Sequence, residues 1–229
     1  MILALYSNQM ISETEEITRQ LFSMIGKVSP KIGYISSAPD PQRKFYDSVS
    51  SYYQYFDGRL GSYNDLEDAY DEDAMQDVFR SDAIHLTGGN TYRFLASIKS
   101  RALEARLIEY ATNGGALIGV SAGAIIISPS IESSVLCHDS NEAGITDLDG
   151  INLFPFQLLP HAQDIDDLSE KANALAAKNN IPVYAICDDQ ALFFSDSQVQ
   201  AIGGAEYFPV IDGAQKRDNK SSHSTADRA

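Results

Sequence analysis

Two cysteines, Cys137 and Cys187, are all the thiol chemistry that 229 residues carry. They are too few for a disulfide framework, and no CxxC pair points to zinc or redox chemistry, so both read as buried thiols. Positive charge is scarce too: 17 lysines and arginines stand against 32 acidic residues, a net charge of −15. Such a chain lacks the basic face that nucleic acid or an anionic membrane requires. A local cationic pocket could still take a small acidic substrate. No apolar run nears the ~20 residues of a membrane span. The opening Met1–Tyr6 run is apolar but short, with no basic segment before it and no small-residue cleavage site after it. It reads as a strand and not a signal peptide, and the expected compartment is the cytoplasm. The acidic stretch Asp65–Asp77 lacks the spacing and central glycine of an EF-hand loop and reads as a solvated loop and helix face. There is no internal repeat.

What is present is an alternation of short apolar runs with amphipathic stretches. The length suits one α/β domain with a sizeable core. The expected strands are Ile2–Tyr6, Lys31–Ile35, Ala83–Leu86, Ala116–Val120, a strand end at Leu158–Pro160, and Pro182–Cys187. The expected helices are Ser12–Ile25, Asp40–Phe56, Asn90–Thr112 and Asp166–Asn180. Ala191–Phe194, Val199–Ile202 and Tyr207–Ile211, broken by Asp-Ser and Gly-Gly, suggest antiparallel hairpins. Residues 1–212 are expected to form the single domain and 213–229 a polar, disordered tail. Alternating strands and helices imply a largely parallel sheet covered on both faces, with ligands beyond the carboxyl ends of its strands.

The motifs fall at such ends. Gly119-Val-Ser-Ala-Gly123 follows an apolar strand and precedes an apolar helix, the setting of a G-x-S-x-G nucleophile elbow. Gly119, Ala122 and Gly123 are small enough for a tight strand-to-helix turn that leaves the Ser121 oxygen free; the bland alternative is a turn whose serine caps a helix. Thr87-Gly-Gly-Asn-Thr91 ends another strand. There the N–H of Gly89 could join that of Ala122 in an oxyanion hole, or Asn90 or Thr91 could merely cap a helix. Of four histidines, His223 lies in the tail, His85 within a strand and His138 in a polar loop. His161, at a strand end, is the candidate general base. Asp188 or Asp189, ending another strand, would orient it. The chain order serine, histidine, acid differs from the serine, acid, histidine order of ordinary lipases and esterases.

Taken together, the Thr-Gly-Gly-Asn-Thr turn, the Gly-Val-Ser-Ala-Gly-Ala elbow, the Leu-Pro-His and Asp-Asp strand ends and the opening Leu-Ala-Leu-Tyr-Ser-Asn resemble the peptidase E family, from Met1 to about Ile211. The resemblance implies a three-layer α/β sandwich like that of class I glutamine amidotransferases. It also implies a serine peptidase that cleaves small peptides, of the N-terminal Asp-X type in that family, with no metal or organic cofactor. Ser121 would be the nucleophile, His161 the base, and Gly89 and Ala122 the oxyanion donors. Asp189 matches the position where the family carries glutamate and is preferred to Asp188, which points the other way if strand geometry continues. A monomer or homodimer is expected.

Two departures bear on specificity. The acid is a methylene shorter than the family's, and the segment after the histidine, Ala162–Glu170, is acidic where the family's is longer and basic. An aspartyl side chain needs cations or fixed donors. Arg93 is a candidate for that role, or else a solvent-facing helix residue. The alternatives are a cyanophycinase- or amidase-like hydrolase on the same scaffold and a small-molecule binder that keeps the fold without catalysis.

Overall fold

The computed structural model describes residues 1–210. The tail expected from residue 213, with His223, lies outside the described residues. Seven strands form one sheet in the order β3-β2-β4-β5-β1-β8-β9: β1 (Ile2–Tyr6), β2 (Lys31–Ile35), β3 (Arg59–Leu60), β4 (Ala83–Leu86), β5 (Ala116–Val120), β8 (Ala191–Ser195) and β9 (Gln198–Ile202). The first five are mutually parallel; β8 and β9 run antiparallel at one side. Asp196 and Ser197 close the β8–β9 hairpin, both at positive φ as a tight two-residue turn requires.

Side-chain alternation sends each strand's residues to opposite faces. Leu3, Leu5, Ile84, Leu86 and Leu117 pack on one side with α3 (Glu72–Val78), α4 (Thr91–Ser100), α5 (Leu103–Thr112) and α6 (Ala122–Ile125). Ala4, Tyr6, Ile32, Tyr34 and Ile118 pack on the other with α1 (Glu15–Ile25) and α2 (Lys44–Tyr55). Both faces are covered, which is why the central strands read as continuous apolar runs. The three-layer α/β sandwich is the expected one.

Three elements differ from the sequence reading. The helix expected over Asn90–Thr112 is two, α4 and α5, broken where Ala102 turns left-handed at φ 52°. Alanine carries no helix-stop signal. Helix α2 starts at Lys44 and not Asp40, because the Asp40 carboxylate accepts the N–H groups of Lys44, Phe45 and Tyr46. Finally, β6 (Gln157–Leu159) and β7 (Val183–Ala185) leave the central sheet. They pair in parallel with each other, and β10 (Glu206–Phe208) joins β7 antiparallel. Helix α7 (Ile165–Asn179) covers this second sheet through Ala172 and Ala176, in a small core with Leu159, Val183 and Phe208. Among the described residues, no helix is long and apolar enough to cross a membrane.

Candidate active site

The carboxyl ends of β1, β2, β4 and β5 lie along one edge of the large sheet, and the ends of β6 and β7 come up beside it. Ser121 follows β5 directly. Its N–H donates to the Tyr6 carbonyl at 2.9 Å, and its carbonyl accepts from Ala124 and Ile125. Those bonds hold its backbone at φ 49°, ψ −112°, a region costing on the order of 1–3 kcal/mol that persists where neighbours over-determine it. The turn is possible because Gly123 has no side chain: a Cβ there would lie 2.1 Å from the Leu86 carbonyl oxygen. The apolar helix expected after the elbow is there as a single turn of four residues, so a helix dipole contributes little at Ser121.

His161 arrives from the small sheet, also left-handed at φ 59°. Its Nε2 lies 2.9 Å from Ser121 Oγ, and its Nδ1 lies 2.6 Å from Oδ1 of Asp188. With the proton on Nδ1, the ring donates to the carboxylate and accepts from the serine hydroxyl. The sequence preference for Asp189 is corrected here. Strand β7 ends at Ala185, and residues 187–190 form a turn in which the Gln190 N–H donates to the Cys187 carbonyl. Strand alternation therefore does not reach these residues: the turn aims Asp188 at His161 and leaves Asp189 exposed. Burial pushes the Asp188 carboxyl up, but hydrogen bonds from Ser7, His161 and Gln163 together outweigh it and hold the group below the ordinary carboxylate range.

Two serines that the sequence reading did not single out support this arrangement. Ser7, fully buried at the end of β1, donates its hydroxyl to Asp188 Oδ1 at 2.8 Å. It also accepts the backbone N–H of His161 at 2.8 Å. Ser37, following β2, donates its hydroxyl to the carbonyl of Gly88. That carbonyl and the N–H of Gly89 belong to one planar trans peptide, so fixing the first aims the second the opposite way. Gly89 sits at φ 140°, and a Cβ on it would lie 2.2 Å from Ser37 Oγ. Among the described residues, no backbone hydrogen bond takes the N–H of Gly89 or of Ala122, which leaves both free for an anion near Ser121. The one signal for Ser7 was its place in the Leu-Ala-Leu-Tyr-Ser-Asn opening; Ser37 carried none.

Asn90 takes the capping role, accepting the N–H of Arg93 at 2.9 Å. The Arg93 guanidinium is engaged elsewhere: Nε lies 2.6 Å and Nη2 2.5 Å from the two carboxylate oxygens of Glu67. The substrate-binding role expected of Arg93 is thus corrected to a bidentate surface ion pair. His138 and His85 stand apart from the serine; His85 is buried against Tyr53, whose hydroxyl lies 2.9 Å from its Nδ1.

A serine, an imidazole and a carboxylate in hydrogen-bonded series, with free N–H groups beside the serine, form the layout of an acyl-transfer hydrolase. The chain belongs to peptidase family S51, whose family model matches residues 2–202. An uncharacterized peptidase of Listeria monocytogenes is 32% identical over 124 residues, 52% of this chain and 60% of that protein. Peptidase E of Escherichia coli is 32% identical over 92 residues, 39% of this chain and 38% of that protein. The matched region thus spans less than two thirds of either relative. A crystal structure of a candidate peptidase E from Listeria monocytogenes superimposes with a TM-score of 0.69 at 23% identity, covering 88% of this chain and 97% of that one. A peptidase from an acI-B1 actinobacterium follows at 0.64 and 16% identity, with 92% and 95% covered. At those identities the structures speak for the fold, and the peptidase E resemblance read from the motifs is borne out.

Proposed function

We propose that the protein is a serine peptidase that hydrolyses small peptides through an acyl-enzyme, with Ser121, His161 and Asp188 as its triad. The observation that carries this reading is the unbroken chain of short contacts, Ser121 Oγ to His161 Nε2 at 2.9 Å and His161 Nδ1 to Asp188 Oδ1 at 2.6 Å. His161 accepts the Ser121 proton as the oxygen attacks the peptide carbonyl. Asp188 fixes the ring tautomer and stabilises the imidazolium that forms. The N–H groups of Gly89 and Ala122 receive the tetrahedral oxyanion. His161 then protonates the leaving amine, the C–N bond breaks, and water activated by the same ring hydrolyses the ester on Ser121. No step in this sequence calls on a metal or organic cofactor.

A preference for small peptides agrees with a site ringed by loops at a sheet edge. The test is hydrolysis of a dipeptide panel by wild type and Ser121→Ala, with intact-protein mass spectrometry of the quenched reaction. Turnover that disappears in the variant, together with an acyl adduct on Ser121, is the expected result. Undiminished turnover by Ser121→Ala overturns the assignment.

A further inference from the structure

A cavity of about 340 Å³ opens next to Ser121. Ser121 does not itself line it, but its chain neighbour Val120 and the turn residue Gly88 do, and a Cβ on Gly88 would lie 3.5 Å from Ser121 Cβ. Gly89, whose N–H is free for the oxyanion, lines it as well. An acyl group whose carbonyl oxygen rests on that N–H has the space beside the turn within reach of its side chain. The cavity is therefore placed to seat the side chain on the acyl side of the scissile bond.

Its exposed lining is mostly apolar; of its polar side chains, Gln9 donates to the Tyr53 hydroxyl, and the hydroxyls of Ser36 and Ser37 donate to backbone carbonyls. Met10, Tyr34, Pro39, Phe45, Val49 and Val120 supply much of the lining. Met10 and Phe45 are 43% and 72% exposed. Large apolar side chains left this open cost hydration without gaining a packed core, and at a cavity mouth they form a natural apolar rim. The charge content points the same way. Among the described residues, no lysine or arginine lines the cavity, whereas Asp40 does. The basic side chain on its wall, His85, is neutral at physiological pH, because burial holds its pKa down to about 3. Two arginines near in sequence to lining residues are used elsewhere: Arg43 lies over the ring of Tyr63 at 3.6 Å, and Arg93 pairs with Glu67. An aspartyl side chain entering here would lose its hydration, find no cation and approach Asp40. A basic side chain fares little better, since three backbone N–H groups already occupy the Asp40 oxygens.

We propose that this cavity is the specificity pocket of the peptidase and selects an uncharged apolar residue of leucine, methionine or phenylalanine size on the acyl side of the cleaved bond. The inference rests on the reading of Ser121 as nucleophile, and it separates this chain from an aspartyl dipeptidase.

The experiment measures inactivation rates with diphenyl phosphonate analogues of leucine, phenylalanine, aspartate and lysine, alongside a plain fluorophosphonate. It is paired with kcat/KM for Leu-Ala, Phe-Ala, Asp-Ala and Lys-Ala. Expected is a preference of about 100-fold or more for leucine and phenylalanine over both charged residues, a range typical of pocket discrimination. Phe45→Arg, a change at an exposed rim position that folding tolerates, is expected to shrink the leucine-to-aspartate ratio about 10-fold or more. Labelling by the fluorophosphonate with flat, acidic or basic selectivity overturns the pocket assignment and leaves Ser121 as nucleophile. A selectivity ratio that Phe45→Arg does not move also overturns it. No labelling of Ser121 by any reagent removes the serine peptidase reading and the pocket with it.

Discussion

Ser7 and Asp188 share one hydrogen bond that organises two others. The Ser7 hydroxyl reaches Oδ1 of Asp188 at 2.8 Å, the same oxygen that faces His161 Nδ1 at 2.6 Å, while Ser7 Oγ accepts the His161 N–H. A single buried side chain from the first strand thus fixes both the carboxylate and the backbone of the histidine.

Ser7→Ala removes a hydrogen bond to a charged group, worth about 1.5–3 kcal/mol, and strands the His161 N–H. The expected result is a fall in kcat of roughly 10- to 100-fold with KM nearly unchanged. The acid limb of the pH–rate profile should move up as Asp188 loses its donor. Steady-state kinetics from pH 3 to 9 checks both; a variant with wild-type kcat and profile removes Ser7 from this role.

Asp188→Asn is expected to lower kcat on the order of 10⁴-fold, since an amide stabilises the wrong tautomer and no imidazolium. Asp189→Asn, at an exposed position in the same turn, is expected to stay within about twofold. Equal losses would show that the turn as a whole, and not one carboxylate, governs His161.

Gly89→Ala places a methyl group against Ser37 Oγ and a side chain at positive φ. The Gly88–Gly89 peptide must then rotate away. Loss of its N–H from the oxyanion should cost about 10²–10³ in kcat. Circular dichroism should show the fold retained, while the thermal midpoint falls with the strain of a side chain at this φ.

His85 titrates near 3 when folded and near its ordinary 6.5 when unfolded. Between those values the unfolded chain binds a proton that the folded one does not. The stabilisation is complete above pH 6.5 and is lost as pH falls toward 3. At pH 5 the deficit from this group is roughly 2 kcal/mol. Urea unfolding at pH 7 and pH 5 should show it, and His85→Gln should flatten the difference. An unchanged slope in the variant would mean that His85 takes a proton in place.

Much of this architecture is legible in the chain because burial on both faces writes strands as apolar runs. The elbow, Gly88-Gly89 and His161 were legible because tight turns and strand ends restrict residue type. What was hidden depends on three-dimensional neighbours. Ala102 breaks a helix with a residue that favours helices. Asp188 and Asp189 differ by a turn whose geometry is set by Gln190 capping Cys187, a contact no periodicity reports. Arg93 read as a free cation because its partner, Glu67, lies 26 residues away in sequence and on a different element. Ser7 and Ser37 are ordinary serines until β2 lies beside β4 and the small sheet comes up beside the end of β1.

The proposed triad is divided between two sheets: Ser121 follows a strand of the seven-stranded one, and His161 and Asp188 follow neighbouring strands of the three-stranded one. Base and acid therefore arrive on one piece of structure, and that piece is not independent: Leu158 in β6 and Ile186 just after β7 are buried in the same core as Leu86 and Leu117, and Ser7 bonds both His161 and Asp188. The distance between base and nucleophile is thus set by shared burial and not by the loops that join them.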